Sequence, residues 1–417
     1  MPSSERSLLL CKVNTFLLRV SCVILPIIFL SHLGSDNAIA DQALERASRT
    51  GIDYFLNEDY AASHALFDSL ITNKPLRPEG YLGRAMAYWD ESLILEDAIK
   101  NDDEIRNLIK QAIKRAKSLM KHQGESAEMY FWLGSAYALR SGLALMRGSA
   151  LEGVIDGLES RDYLKEATRL DPGLVDAYFG LALSDYITAR QPRFLRMVGR
   201  LLSLPTGDRE RGLQQLEWIA QKGTYTRQHA VSARAFIELY YEKNYEDARR
   251  RFLQLHQQYP NSLDYRIRYL DAIFALTVKG DPAYRSALVD SSISIRNLSE
   301  ERNWTLVPWV KTKLHFIEGY GYYLGGSLGH AEAKMLLYVE SAHKKSWLLG
   351  PAHLILGKLA DLEGNRQEAI RNYRLARKKE DVWATRKEAK QYLKTPFKKE
   401  SPAQRPTDSV RRYPERP

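Results

Sequence analysis

The sequence predicts an all-α protein, a solenoid of antiparallel helical hairpins stacked one upon the next. Two observations predict it. Past Asp41, apolar residues recur at spacings of three and four, as in "ALFDSLI" and "ARAFIELYY", whereas sustained apolar/polar alternation bounded by turn residues is hard to find. Clusters of Gly, Pro and Asn then break the pattern at intervals of ~12 to 20 residues, the length of one helix and its turn. With 417 residues, 44% hydrophobic and 27% charged, the chain has enough apolar material for a large core or a long array of small ones.

Residues 1–40 read as an export signal. Arg6, Lys12 and Arg19 supply its positive side, and "VSCVILPIIFLSHLG" (Val20 to Gly34) is an apolar run too short to span a bilayer comfortably. Ala38-Ile39-Ala40 then offers a small-x-small cleavage form, which places the mature start at Asp41. The alternative is an uncleaved inner-membrane anchor over residues 7–34. Both cysteines, Cys11 and Cys22, fall in this segment, so the mature chain has none. That excludes disulfides and thiol chemistry and suits an oxidising compartment. Arg19, three residues before Cys22, stands where a lipoprotein signal has an apolar residue, so lipid attachment is not expected. The expected location is outside the inner membrane, in the periplasm of a Gram-negative source.

The helical units follow in order. The first begins at Gly51 and runs through Tyr60 and Phe67 to Pro75. "YFWLGSAY" (Tyr130 to Tyr137) makes a strong first helix, and "DYLKEATRLDP" (Asp162 to Pro172) a second-helix ending. The clearest unit is Ala230 to Ser262, where Tyr245, Ala248, Phe252 and Pro260 fall at the spacing Y-x2-A-x3-F-x7-P. A further copy carries Leu356-Gly357, Gly364, Ala369, Tyr373 and Ala376. These positions resemble the tetratricopeptide superfamily, whose unit of ~34 residues is a pair of antiparallel helices. The resemblance covers most of residues 41–395 and implies a right-handed superhelix with irregular, elongated units. In the family, small residues at the eighth and twentieth places let two helices approach, and aromatic residues fill the gap to the next hairpin.

"EGYGYYLGGSLGHAEA" (Glu318 to Ala333), with five glycines and three tyrosines, tests that alignment. Gly319 takes the small eighth place, Tyr322 the aromatic eleventh, Gly326 the turn and Ala331 the small twentieth. A phosphate loop would need a strand before the glycines and a Lys-Ser or Lys-Thr after them. Instead, "WVKTKLHFIE" precedes them with helical spacing. The pattern stretches near residues 138–160 and 187–207, which reads as elongated helices or inserted turns.

No chemistry is advertised. There is no HExxH, His330 and His343 lack ligand spacing, and no G-x-S-x-G elbow occurs. Asp102-Asp103-Glu104 and Glu300-Glu301 sit at helix starts, where the macrodipole favours negative charge. The chain is therefore expected to be no enzyme, with no metal and no cofactor.

A binding surface is left. The family lines its concave groove from the first helix of each unit, and carrying those places over gives Phe131, Phe179, Tyr186, Tyr240, Tyr241, Phe316, Tyr320 and Tyr323. Such a groove suits an extended apolar segment or a helix of a partner. The formal charge is +10, from 61 Lys and Arg against 51 Asp and Glu. "RQPRFLRMVGR" holds Arg190, Arg193, Arg196 and Arg200 around apolar residues, fit either to rest on an anionic surface or to be a solvated helix face. Residues 396–417, rich in proline and base, read as a disordered tail. The expectation is a protein-binding scaffold of the cell envelope, with a receptor for a small amphipathic or lipid-like ligand as the alternative; no nucleic-acid motif is present.

Overall fold

The computed structural model describes residues 35–96, 100–201 and 206–398. Of the expected export signal at residues 1–40, residues 1–34 lie outside the described residues and residues 35–40 fall in a helix; of the expected tail at 396–417, residues 399–417 lie outside them. The described elements are helices, as the spacing predicts. They group into two compact units that divide at Tyr269/Leu270, a boundary that the reading of 41–395 as one array does not mark.

In the first unit, α1 (Ser35–Leu56) pairs with α2 (Tyr60–Asn73), α3 (Glu79–Glu91) with α4 (Asp102–Gln123), and α5 (Ala127–Met146) with α6 (Ala150–Leu170). Next, α7 (Tyr178–Ala189) pairs with α9 (Arg209–Lys222), not with the short α8 (Arg193–Leu201) between them. Then come α10 (Arg227–Ile237), a π-turn over Glu238–Glu242, α11 (Tyr245–Gln258) and the start of α12 (Leu263–Val278). Helix starts are capped from the sequence: Asp59, Ser126 and Asp208 accept from the N–H groups of Ala62, Met129 and Arg211. Near residues 138–160 the extra chain lengthens both helices of one hairpin, α5 to 20 residues and α6 to 21.

Close approach explains the small residues. A Cβ on Gly83 would stand 2.2 Å from Phe67, and one on Gly51 would stand 2.6 Å from the same ring. Phe67, 1% exposed, is thus wedged between α1 and α3. Leu164 repeats the arrangement between Gly134 of α5 (2.6 Å) and Gly180 of α7 (2.5 Å). A serine hydroxyl completes the seam, donating to a glycine carbonyl of the paired helix: Ser63 to Gly51 at 2.9 Å, Ser160 to Gly134 at 2.7 Å, and Ser141 to Gly153 at 2.6 Å. Each carbonyl is within reach only because no side chain covers it.

The first unit also closes on itself. At the α1–α2 turn, Glu58 adopts φ +57°, a left-handed conformation that costs a non-glycine residue energy. Its carboxylate accepts from the Ser262 hydroxyl and the Asp264 N–H, each at 2.8 Å. Tyr259 donates to Asp53 at 2.8 Å, and the Asn261 N–H donates to the Asn57 side-chain carbonyl at 3.1 Å. Behind these bonds, the buried His229 ring of α10 touches Phe55 of α1 and Phe179 of α7 edge-on, at 6.1 and 6.5 Å. His229 is held neutral, its pKa lowered by burial to about 3. The first hairpin therefore packs against segments some 200 residues later.

The second unit contains α13 (Arg285–Glu301), the hairpins α14 (Pro308–Gly325) with α15 (Leu328–Ser341) and α16 (Leu349–Leu362) with α17 (Arg366–Lys378), and α18 (Thr385–Lys394). Glu300-Glu301, expected at a helix start, instead close the C-terminal end of α13. Gly357 faces Tyr373 as Gly83 faces Phe67, with a virtual Cβ 2.5 Å from the ring. The glycine-rich stretch takes its expected places. Gly319 and Ala331 are buried, and Gly326 ends α14 at φ +83° with its N–H on the Tyr322 and Tyr323 carbonyls. Glu318 is buried too, bridging Arg296 and Lys334 at 2.6 Å each. Phe397, read as part of the tail, is engaged with the fold: its N–H donates to Asp361 at 2.7 Å, and its ring packs on Tyr392 at 5.2 Å.

Two outcomes follow. Gly357→Ala should destabilise the protein by ~1–3 kcal/mol in denaturant unfolding, because the Tyr373 ring cannot retreat. Gly325→Ala, which meets no atom within 4 Å, should change it by less than about 0.5 kcal/mol. Burial raises the Glu58 carboxyl to about 7, so the folded state keeps a proton that the unfolded chain releases, and stability falls as pH rises from about 4.5 to about 7. Glu58→Gln keeps the shape and the acceptor oxygen. It should match the wild type near pH 4.5 and be more stable at pH 8 by up to about 3 kcal/mol.

Candidate functional site

The eight aromatic residues assigned to a groove separate into two classes. Phe131, Phe179, Tyr186 and Phe316 are each no more than 2% exposed. They are core, and the assignment to an open groove is corrected for them; for Phe179, the closure onto α1 and α10 buries the face that a lone hairpin would leave open. Tyr240, Tyr241, Tyr320 and Tyr323 are half-buried.

In the first unit, Tyr186 leads to a charged cluster. Its hydroxyl donates to Glu242 Oε1 at 2.6 Å, Arg209 Nε donates to the same oxygen at 3.1 Å, and Arg209 Nη2 holds Oε2. Arg190 reaches Glu242 at 3.5 Å and lies over the Tyr186 and Tyr241 rings, at 5.7 and 5.1 Å. Burial works to raise the Glu242 carboxyl, but bonds from Arg209 and Tyr186 outweigh it and hold it below the usual range. Burial and that carboxylate together push the Tyr186 hydroxyl up. The π-turn makes this geometry: one extra residue in the turn shifts Tyr240 to Glu242 from where α-helical spacing would put them. Arg190 is therefore engaged by Glu242 and the two rings, although its side chain stays 37% exposed. Arg193 and Arg200 are exposed on α8, and Arg196 donates to the Ala189 carbonyl at 3.2 Å.

In the second unit the aromatics gather. Phe316 meets Phe274 at 6.0 Å, Tyr338 at 5.0 Å and Tyr320, nearly parallel, at 6.2 Å. Trp383 lies over this floor, 5.8 Å from Phe274 and 6.1 Å from Tyr320, and Trp347 stands edge-on to it at 5.9 Å. Trp347 is 44% exposed. Trp383 and Ala384 are consecutive left-handed residues, at φ +56° and +58°, neither of them glycine. Such backbone costs of order 1 kcal/mol or more per residue and persists where surrounding contacts demand it. Sequence reasoning missed Phe274, Trp347 and Trp383. The available signal was two tryptophans, in "KKSWLLG" and "EDVWATR", standing in turns rather than on apolar helix faces.

Among the described residues, no group of three or more His, Cys, Asp or Glu side chains is placed to hold a metal ion, and no helix is long and apolar enough to cross a membrane. What the surface offers is apolar and aromatic area beside fixed charge.

No family model matches the chain, and no curated protein matches it in sequence. Solved structures are similar at a distance. The C-terminal part of a TPR repeat-containing protein from Cytophaga hutchinsonii aligns at 13% identity and TM-score 0.33, covering 72% of this chain and 97% of that one. A human IFIT1 dimer with m7Gppp-AAAA aligns at 13% identity and TM-score 0.37, covering 91% and 85%. Yeast Tom70 aligns at 12% identity and TM-score 0.29, covering 94% and 96%. The helical-hairpin fold rests on the glycine and serine contacts described above, and no ligand is transferred from these likenesses.

Ala384→Gly should stabilise the protein by about 0.5–1 kcal/mol in denaturant unfolding, since glycine takes the left-handed conformation without the Cβ penalty. An unchanged or lower stability would mean that Ala384 is not held at positive φ.

Proposed function

We propose that this chain is a non-catalytic protein-binding scaffold of the cell envelope, and that its second unit grips an extended or helical segment of a partner on the face formed by Tyr320, Trp347 and Trp383. The observation that carries this reading is Trp383, half-buried on a left-handed backbone and set between Tyr320, tilted against it, and the exposed Trp347, edge-on to it. Tryptophan and tyrosine bring large area at small entropic cost and dominate the energetics of protein interfaces. The floor of Phe274 and Phe316 keeps these rings in place. Half-buried Tyr323 extends the same helix, α14.

Export would put this surface among envelope proteins, and the lack of cysteine after residue 40 suits that compartment. The small amphipathic ligand is the competing occupant.

A pull-down from envelope extract tests the proposal. The wild-type chain should retain one protein, Trp347→Ala should weaken its binding about 30-fold, and Trp218→Ala, in the first unit, should leave it unchanged. Equal retention by Trp347→Ala and wild type, with both folded by circular dichroism, would overturn the assignment. A co-purified amphipathic molecule in native mass spectrometry, lost with Trp347→Ala and accompanied by no protein, would establish the competitor instead.

A further inference from the structure

One edge of the first unit carries a surface that the aromatic face does not use. Helix α6 opens with Leu151, Val154 and Ile155, exposed by 77%, 51% and 52%, and continues with half-buried Leu158. The spacing i, i+3, i+4, i+7 puts all four on one helix face. The opposite face is engaged: Gly153 receives the Ser141 hydroxyl, and Asp156 pairs with Arg140 at 2.5 Å. Glu152 and Glu159 fall to one side of the stripe. An ordinary surface helix would carry polar residues where these four lie.

Helix α8 presents a second such face. At about 100° per residue, Arg200, Arg193, Met197 and Phe194 share an arc of ~120°. Phe194 is 66% and Met197 58% exposed, and both arginines are exposed beside them. From residue 187 to residue 207 there is no acidic residue. The basic charge of α8 is thus unanswered within its own segment.

The two faces stand at a similar level along their helices. Arg161 of α6 bonds Asp185 of α7 at 3.0 Å, which fixes their levels. The helices run in opposite directions across the turn that joins them. Moving back from Arg161 to Ile155 and forward from Asp185 to Arg190 therefore travels ~9 and ~7.5 Å the same way. Helix α8 begins three residues after Arg190.

We propose that this edge rests on an anionic lipid surface. Phe194, Met197, Leu151 and Ile155 enter the boundary between headgroups and acyl chains, and Arg193 and Arg200 meet the lipid phosphates. Two protruding helix faces that combine apolar tips with unopposed arginine match an interfacial membrane contact. No helix among the described residues is long and apolar enough to cross a membrane.

The test uses the full chain with Cys11→Ser and Cys22→Ser, carrying an environment-sensitive nitrobenzoxadiazole probe on a single new cysteine from Met197→Cys, Ile155→Cys or Lys165→Cys. Vesicles of phosphatidylcholine with one part in four phosphatidylglycerol should shift the emission of the first two probes to the blue and leave the third unchanged. Pure phosphatidylcholine should move none of them. Adding Arg193→Gln and Arg200→Gln should weaken the response roughly thirty-fold, from about 1 kcal/mol per arginine near an anionic surface. Because the probes report locally, binding through residues 1–34 does not imitate this pattern. Unchanged emission at both 155 and 197 would overturn the proposal, as would an equal response to neutral vesicles. A blue shift without lipid that grows with protein concentration would overturn it in favour of a second copy of the chain.

Discussion

The fold depends on how closely two helices of a hairpin can lie, and glycine sets that distance. Phe67 between Gly51 and Gly83, Leu164 between Gly134 and Gly180, and Tyr373 against Gly357 are one device used in both units. A large apolar side chain of one helix occupies the space where its neighbours lack a Cβ. Burying such a side chain contributes roughly 1.5–3 kcal/mol, and the density of the site makes it sensitive to a single added carbon. The serine hydroxyls buried in these seams find their partners in the glycine carbonyls, which no side chain covers. Charge then locks the levels, as with Asp185 between Arg161 and Arg211 and Glu318 between Arg296 and Lys334.

This local device was legible in the sequence because it lives within one repeat. Gly319, Gly326, Ala331, Gly357 and Tyr373 took the places that their spacing assigned. Contacts between distant repeats were not legible. The bonds from Asp53, Asn57 and Glu58 to residues 259–264 join segments that share no periodic signal, and together with the Phe55–His229–Phe179 contact they make core of a face the repeat pattern presents as concave. The π-turn at Glu238–Glu242 was equally silent, since "ELYYE" continues an ordinary helical pattern. Trp383 owes its position to a left-handed backbone that no propensity favours.

The candidate surfaces lie where the repeat rule ends. In the first unit, the longest hairpin projects an apolar stripe, and α8 interrupts the pairing of α7 with α9. In the second, the turn between α17 and α18 brings Trp383 onto the floor made by α14. Regular repeats build the frame, and departures from regularity supply exposed apolar and aromatic groups. Under the proposed function, that division puts the binding surface at Trp347 and Trp383 rather than at the eight first-helix aromatics as a set.

Hydroxyl-radical footprinting read by mass spectrometry tests this account most directly, because it measures side-chain accessibility residue by residue in solution. Trp347 should be modified readily and Tyr320 and Trp383 at intermediate rates, while Phe131, Phe179, Tyr186 and Phe316 remain protected until the protein unfolds. Modification of Phe131, Phe179 and Tyr186 in the native protein as fast as that of Trp347 would contradict it: the first unit would then be open, and its first-helix aromatics would line a groove after all.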